Sequence, residues 1–131
     1  MSYIFYCNDQ TIDECLQKAL FGNTYKYWDT VKKIKKGAPI FLINLTPGTL
    51  YGPFIATRKS QLNLDPYAFL STGRNYPAQV EVKWHRIMRL DRPYSKLPFL
   101  DGQRCRLKPV ETVKLMTRLI DENSQRVHRW A

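Results

Sequence analysis

Two runs of cationic side chains stand out. Residues 26 to 36 hold Lys26, Lys32, Lys33, Lys35 and Lys36 against Asp29 alone. Residues 83 to 108 hold Lys83, Arg86, Arg89, Arg92, Lys96, Arg104, Arg106 and Lys108 against Asp91 and Asp101. In or beside loops and element ends lie flat rings: Phe21, Tyr25, Tyr27, Trp28, Tyr51, Tyr67, Phe69 and Tyr76. Ammonium and guanidinium groups attract phosphates, and rings beside basic loops stack on unpaired bases, at about 1–3 kcal/mol per base. For any single lysine a solvated face is the simpler reading, and most of the rings are expected to seal the core. Two dense clusters in one small chain favour a surface that tracks phosphates.

Catalysis asks for a nucleophile, a base and a group that orients the base. The histidines are His85, on the polar face of an alternating run, and His128, near the C-terminal end. Neither has a Cys, Ser or paired carboxylate in a recognisable pattern, and there is no glycine-rich phosphate loop. The sequence therefore predicts a binding protein, not an enzyme. Cys7, Cys15 and Cys105 are an odd set without close spacing, which argues against a disulfide framework or a zinc site. No metal and no cofactor are expected.

The net charge of +10 over 131 residues draws the chain toward polyanions, and nucleic acid is the commonest such partner. With 44% hydrophobic and 13% aromatic residues it is too apolar for disorder and long enough for one core, so one domain over 1–131 is expected. Residues 1 to 5 lack the pattern of a signal peptide, and no apolar run approaches a membrane span of roughly 20 residues. The expected setting is intracellular, cytoplasmic or nuclear, without membrane contact.

These groups need positioning. Tyr3 to Cys7 reads as a central strand. Thr11 and Glu14 have capping-box spacing, ahead of a helix with its stripe at Ile12, Cys15, Leu16, Ala19 and Leu20, stopped by Gly22-Asn23. A turn and short helix follow from Tyr25 to Lys36. Pro39 to Leu45 and Leu50 to Thr57 form a hairpin, with Pro53 predicting a bulge or free edge. Gln61 to Tyr76 reads as a long loop with one short turn. Ala78 to His85 alternates, with Ala78, Val80, Val82 and Trp84 predicted inward. Ile87, Met88 and Leu90 continue it past a bulge. Pro109 opens a last helix with its stripe at Val110, Val113, Met116 and Ile120, and residues after 123 are expected to fray, with Trp130 able to dock. The order β-α-α-β-β-β-α predicts an α+β domain with a mixed sheet or small barrel.

Five segments carry a resemblance. Leu20-Phe21-Gly22-Asn23, the run from Val31 to Asn44, Leu50 to Ala56, Asn63 to Phe69 and Tyr76 to Val82 resemble the DCD (development and cell death) domain in order and spacing. That family is similar to the EVE and YTH domains of the PUA-like group. The resemblance implies a small β-barrel-like sheet with flanking helices and a pocket for a modified base, N6-methyladenine of RNA in YTH domains and bases of DNA in EVE domains. Carried over by position, it implies cage rings at Phe21 and at Tyr67 or Phe69, where YTH domains use tryptophan. It implies polar readers at Cys7, Asn8 and Asn23, with Gly22 and Asp65 beside them. The expected phosphate contacts are Lys26, Lys32, Lys33, Lys35, Lys36, Arg74, Lys83, Arg86, Arg89, Arg104 and Arg106. The implied partner is RNA or DNA, single-stranded or with a flipped base. A protein-interaction module is the alternative, and a small-molecule or nucleotide-processing enzyme the third reading.

Overall fold

The computed structural model describes the backbone of residues 1–130 and the side chains of residues 1–124. Its middle strand is β1 (Ser2–Cys7). Alternation sends Tyr3, Phe5 and Cys7 into one apolar cluster and Ile4 into a second on the other side, so both faces of β1 are covered. β1 runs parallel to β3 (Pro39–Asn44) and antiparallel to β8 (Arg106–Leu107). A parallel neighbour demands a crossover. It is supplied by α1 (Ile12–Lys18), β2 (Leu20–Asn23), a 3-10 turn at Tyr25–Tyr27 and α2 (Trp28–Val31).

β4 (Thr49–Ala56) returns antiparallel to β3 and then changes partners. Its first half pairs with β7 (Met88–Asp91), and Ile55 and Ala56 pair with β6 (Ala78–Lys83). Pro53 sits at the change, where a residue without an N–H does least harm to the ladder. Gly52 is required beside it: a Cβ there would stand 2.5 Å from the Phe41 ring. β6 also carries β2 and the two-residue β5 (Gln61–Leu62). The path β2-β6-β4-β3-β1-β8 forms a mixed sheet curled into a half-barrel, as expected.

Three local expectations are corrected. The first helix does not reach Leu20: Ala19 turns left-handed (φ 49°), its N–H closes on the Leu16 carbonyl, and the chain leaves as β2. The capping box does not form. The Thr11 hydroxyl is engaged with Asn8, and the Glu14 carboxylate accepts the Phe69 N–H instead (2.7 Å). Trp84, expected in the core, lies beyond the end of β6, 37% exposed and edge-on to Phe54.

Past α3 (Pro93–Lys96), the last helix, α4 (Pro109–Trp130), is turned from its predicted orientation. Leu115 and Leu119 are buried, while Val110, Val113 and Ile120 are exposed. Polar anchors set this rotation. Ser2 bonds Thr112 (2.6 Å), Asn123 donates to the Arg89 carbonyl (3.1 Å), and Arg104 grips Glu111 through both guanidinium nitrogens (2.5 and 2.8 Å). The side chains of His128 and Trp130 lie outside the described ones. No helix among the described residues is long and apolar enough to cross a membrane.

Arg104 and the Lys108 N–H hold the Glu111 carboxyl down to about 2, from 4.5. A depressed carboxyl stabilises the fold above its unfolded value and loses that contribution as pH falls toward its folded one. Unfolding midpoints should therefore drop between pH 4.5 and about 2, and Glu111→Gln should flatten part of that fall. Denaturant titrations of both proteins across this range check it.

Candidate functional site

At the end of β1 the sheet opens into a cavity of about 260 Å³. Its aromatic walls are Tyr6, Tyr27, Phe69 and Tyr76. Asn8, Thr11, Asn23 and Gln103 supply polar groups, Arg74 the one side chain that is cationic at neutral pH, and Gly22 and Leu45 the remaining surface with the three cysteines. Sites for drug-sized ligands run to roughly 300–1,000 Å³, so this one suits a single small ring system.

The wall is built by the loop between β5 and β6, and a buried side chain holds that loop. Gln79 projects inward from β6, 1% exposed. Its amide donates to the carbonyls of Asp65 (3.1 Å) and Tyr76 (3.0 Å), and its oxygen accepts the Asp65 N–H (2.8 Å). Glu14 adds the bond to Phe69, whose backbone is left-handed (φ 62°). Lys18 adds an ion pair to Asp65 (2.6 Å) that lowers the carboxyl's pKa. Phe69 and Tyr76 then meet edge to face at 6.0 Å above Gly22.

Arg74 apart, the cavity lining carries no formally charged side chain. A hydrogen bond that the Cys7 thiol donates to Cys15, reinforced by burial, raises that thiol, and burial raises Cys105, so both stay protonated at neutral pH. Burial raises the Tyr6 hydroxyl, which donates to the Arg104 carbonyl (2.7 Å). The Asn23 oxygen accepts the Thr24 N–H (2.8 Å), and one N–H of its amide points to Cys105 (3.7 Å), leaving a second for a visitor. The Asn8 oxygen accepts the Gln10 N–H (2.9 Å), which makes its amide nitrogen the hydrogen-bonding end. A ring-walled hollow with amide donors and a single arginine suits a flat molecule with acceptors on its edge.

A family model described as the development and cell death domain matches residues 1–95. This chain is a DCD domain. The DCD domain-containing protein NRP-A of Glycine max is 35% identical across 93% of this chain and 36% of its own length. The B2 protein of Daucus carota is 37% identical across 81% of this chain and 55% of its own length. The chain thus spans about a third to a half of these relatives. Among solved structures, the YTH domain-containing protein mmi1 in complex with RNA superposes with a TM-score of 0.68 at 14% identity, covering 97% of this chain and 85% of that one. The Pho92 YTH domain in complex with m6A gives 0.61 at 14% identity, over 90% of this chain and 83% of that one. The DCD domain shares the YTH fold.

The fold brings together Cys7, Asn8, Gly22, Asn23, Phe69 and Arg74 of the predicted site. Three others are corrected. Phe21 is fully buried in β2, packed edge-on to Phe54 at 4.8 Å and tilted to Phe5 at 6.0 Å, so it is a core ring. Asp65 lies outside the lining, its carboxylate on Lys18 and the Tyr67 N–H. Tyr67 is 74% exposed and does not line the cavity.

Among the cations, Arg104 is corrected: its guanidinium is committed to Glu111 and to the carbonyls of Phe99 and Arg106. Arg89 pairs with Asp91 and Lys32 with Asp29, both at 3.2 Å. Lys26 stands 5.6 Å over the Tyr27 ring at the cavity. Lys33, Lys35, Lys36, Lys83, Arg86 and Arg106 are exposed.

Several lining residues carried no site signal. Tyr6 hides in an apolar strand. Gln103 and Cys105 reach the cavity because β8 pairs with β1, a contact of long sequence separation. Tyr27 and Tyr76 stood out as rings near loops, without a hint that they share a wall.

A Cβ on residue 22 would lie 2.9 Å from the Tyr76 carbonyl oxygen and 3.2 Å from the Phe69 ring. Gly22→Ala should therefore cost about 1–3 kcal/mol in urea unfolding, by forcing the wall outward. Gln79→Leu should cost about 2 kcal/mol by stranding loop backbone groups, and amide hydrogen exchange should accelerate at Asp65 and its loop neighbours.

Proposed function

We propose that this domain binds single-stranded nucleic acid, RNA foremost, and lodges one base in the cavity. The observation that carries this is a base-sized hollow walled by four rings, with amide donors inside and Arg74 and Lys26 at hand for flanking phosphate. The fold shared with the RNA-bound mmi1 and m6A-bound Pho92 domains supports the same reading. Phosphate contacts supply affinity, and the pocket supplies choice. The ring walls and protonated thiols suit a base carrying an extra methyl group. They offer no thiolate for catalysis, and the activity proposed is binding.

Fluorescence polarisation with plain and N6-methyladenine-containing single-stranded RNA at two salt concentrations tests this. Affinity should fall steeply with salt. Tyr27→Ala should weaken the methylated strand by about tenfold, the scale of one lost stacking contact, and the plain strand less. Equal losses on both strands would contradict the pocket.

A protein-interaction reading is favoured by one feature, the exposed Val110, Val113 and Ile120 of α4. It predicts partner binding that is indifferent to salt and abolished by Val113→Asp.

A further inference from the structure

A second hollow, of about 540 Å³, lies beside α2. Its lining includes Trp28, Lys32, Arg58, Lys59 and Gln61 around the buried Ser60. Ser60 explains the assembly. Its hydroxyl donates to the Val31 carbonyl and its N–H to the Ile34 carbonyl (3.2 Å). That staple lays the segment after β4 along the end of α2. It sets Arg58 and Lys59 beside Lys32, the first residue of a lysine run that lies apart from them in sequence.

The acids nearby neutralise the patch only at Lys32. Asp29 is 93% exposed and engages Lys32 at 3.2 Å. Glu81 is turned to the Thr57 hydroxyl (2.6 Å). Arg58 donates to the Gln61 side chain (3.3 Å), a neutral partner that leaves its charge intact. Trp28, half-buried against the core, brings an indole among the cations.

We infer that this hollow is a second nucleotide site, in which Arg58 and Lys59 hold backbone phosphates while a neighbouring base meets the Trp28 ring. Cations tracking a strand beside an aromatic surface are what single-stranded nucleic acid requires. An anionic lipid surface or an acidic peptide would use the charge without needing the ring. Tyr27 lines the cavity and Trp28 the second hollow, so consecutive residues of this chain belong to the two hollows. The inference rests on the nucleic-acid reading above. It adds that affinity for unmodified strand resides here, apart from the cavity.

The test uses the full chain carrying Trp84→Phe and Trp130→Phe, so that Trp28 is the sole tryptophan. The probe is unmodified single-stranded oligouridine, titrated at several salt concentrations. Binding should quench Trp28. Arg58→Ala with Lys59→Ala, both exposed, should lower the slope of log affinity against log salt by about 1.4, from two phosphate contacts at about 0.7 each. Unchanged affinity and slope in the double variant would overturn the inference. So would equal quenching by heparin, which has charge and no bases, or stronger binding to phosphatidylserine vesicles than to oligouridine. The Tyr27→Ala comparison separates the two sites: loss of methyl-base preference with normal oligouridine quenching reports the cavity alone. Absence of that preference in the parent protein, with the Arg58/Lys59 effect intact, would refute the pocket and leave this site standing.

Discussion

Gln79 projects from the middle of the sheet into the protein, 1% exposed, where an amide without partners costs about 1–3 kcal/mol. It finds them in the backbone of the loop that crosses above β2, at Asp65 and Tyr76. That requirement fixes the loop's height. The loop then sets Phe69 and Tyr76 over Gly22, the residue type that permits so close an approach. One side of the cavity therefore follows from a buried hydrogen-bonding demand in β6. Glu14 and Lys18, from α1, tie the same loop from the opposite flank.

Everything else positions the opposite wall. β1 ends where its apolar run ends, so Tyr6 and Cys7 are the last strand side chains and Asn8 the first turn residue. β8 pairs with β1 and delivers Cys105 next to Asn23. Arg104, one residue earlier, is locked to Glu111, which couples this wall to α4. Cavity lining and stability thus share a short stretch: Arg104 secures the helix and Cys105 lines the hollow. The cations divide similarly, some committed to carboxylates, others, such as Arg58 and Lys59, exposed.

The sequence disclosed strands well where apolar alternation was long, as in Tyr3 to Cys7, the hairpin and Ala78 to Lys83, and the family resemblance supplied the curled sheet. It misled where tertiary contacts overrode a local pattern. The Ile12-to-Leu20 stripe looks helical to its end, yet Leu20 and Phe21 gain more as β2 beside β6. Phe21 stood next to Gly22-Asn23 and so looked like a loop ring; strand pairing turned it into the core. In α4 the sequence pointed to the stripe of Val110, Val113, Met116 and Ile120, but the polar anchors at Thr112, Glu111 and Asn123 hold the helix with Leu115 and Leu119 buried. Gln79 could not be singled out, since its burial depends on a loop whose height no local pattern reveals.

The most direct measurement is a residue-resolved NMR titration with the nucleosides N6-methyladenosine and adenosine, which carry no phosphate. The account predicts that the methylated nucleoside shifts the Gly22 amide and the side-chain amides of Asn8 and Asn23, with adenosine doing so more weakly. Shifts confined to surface residues remote from the cavity, or none at saturating nucleoside, would contradict it.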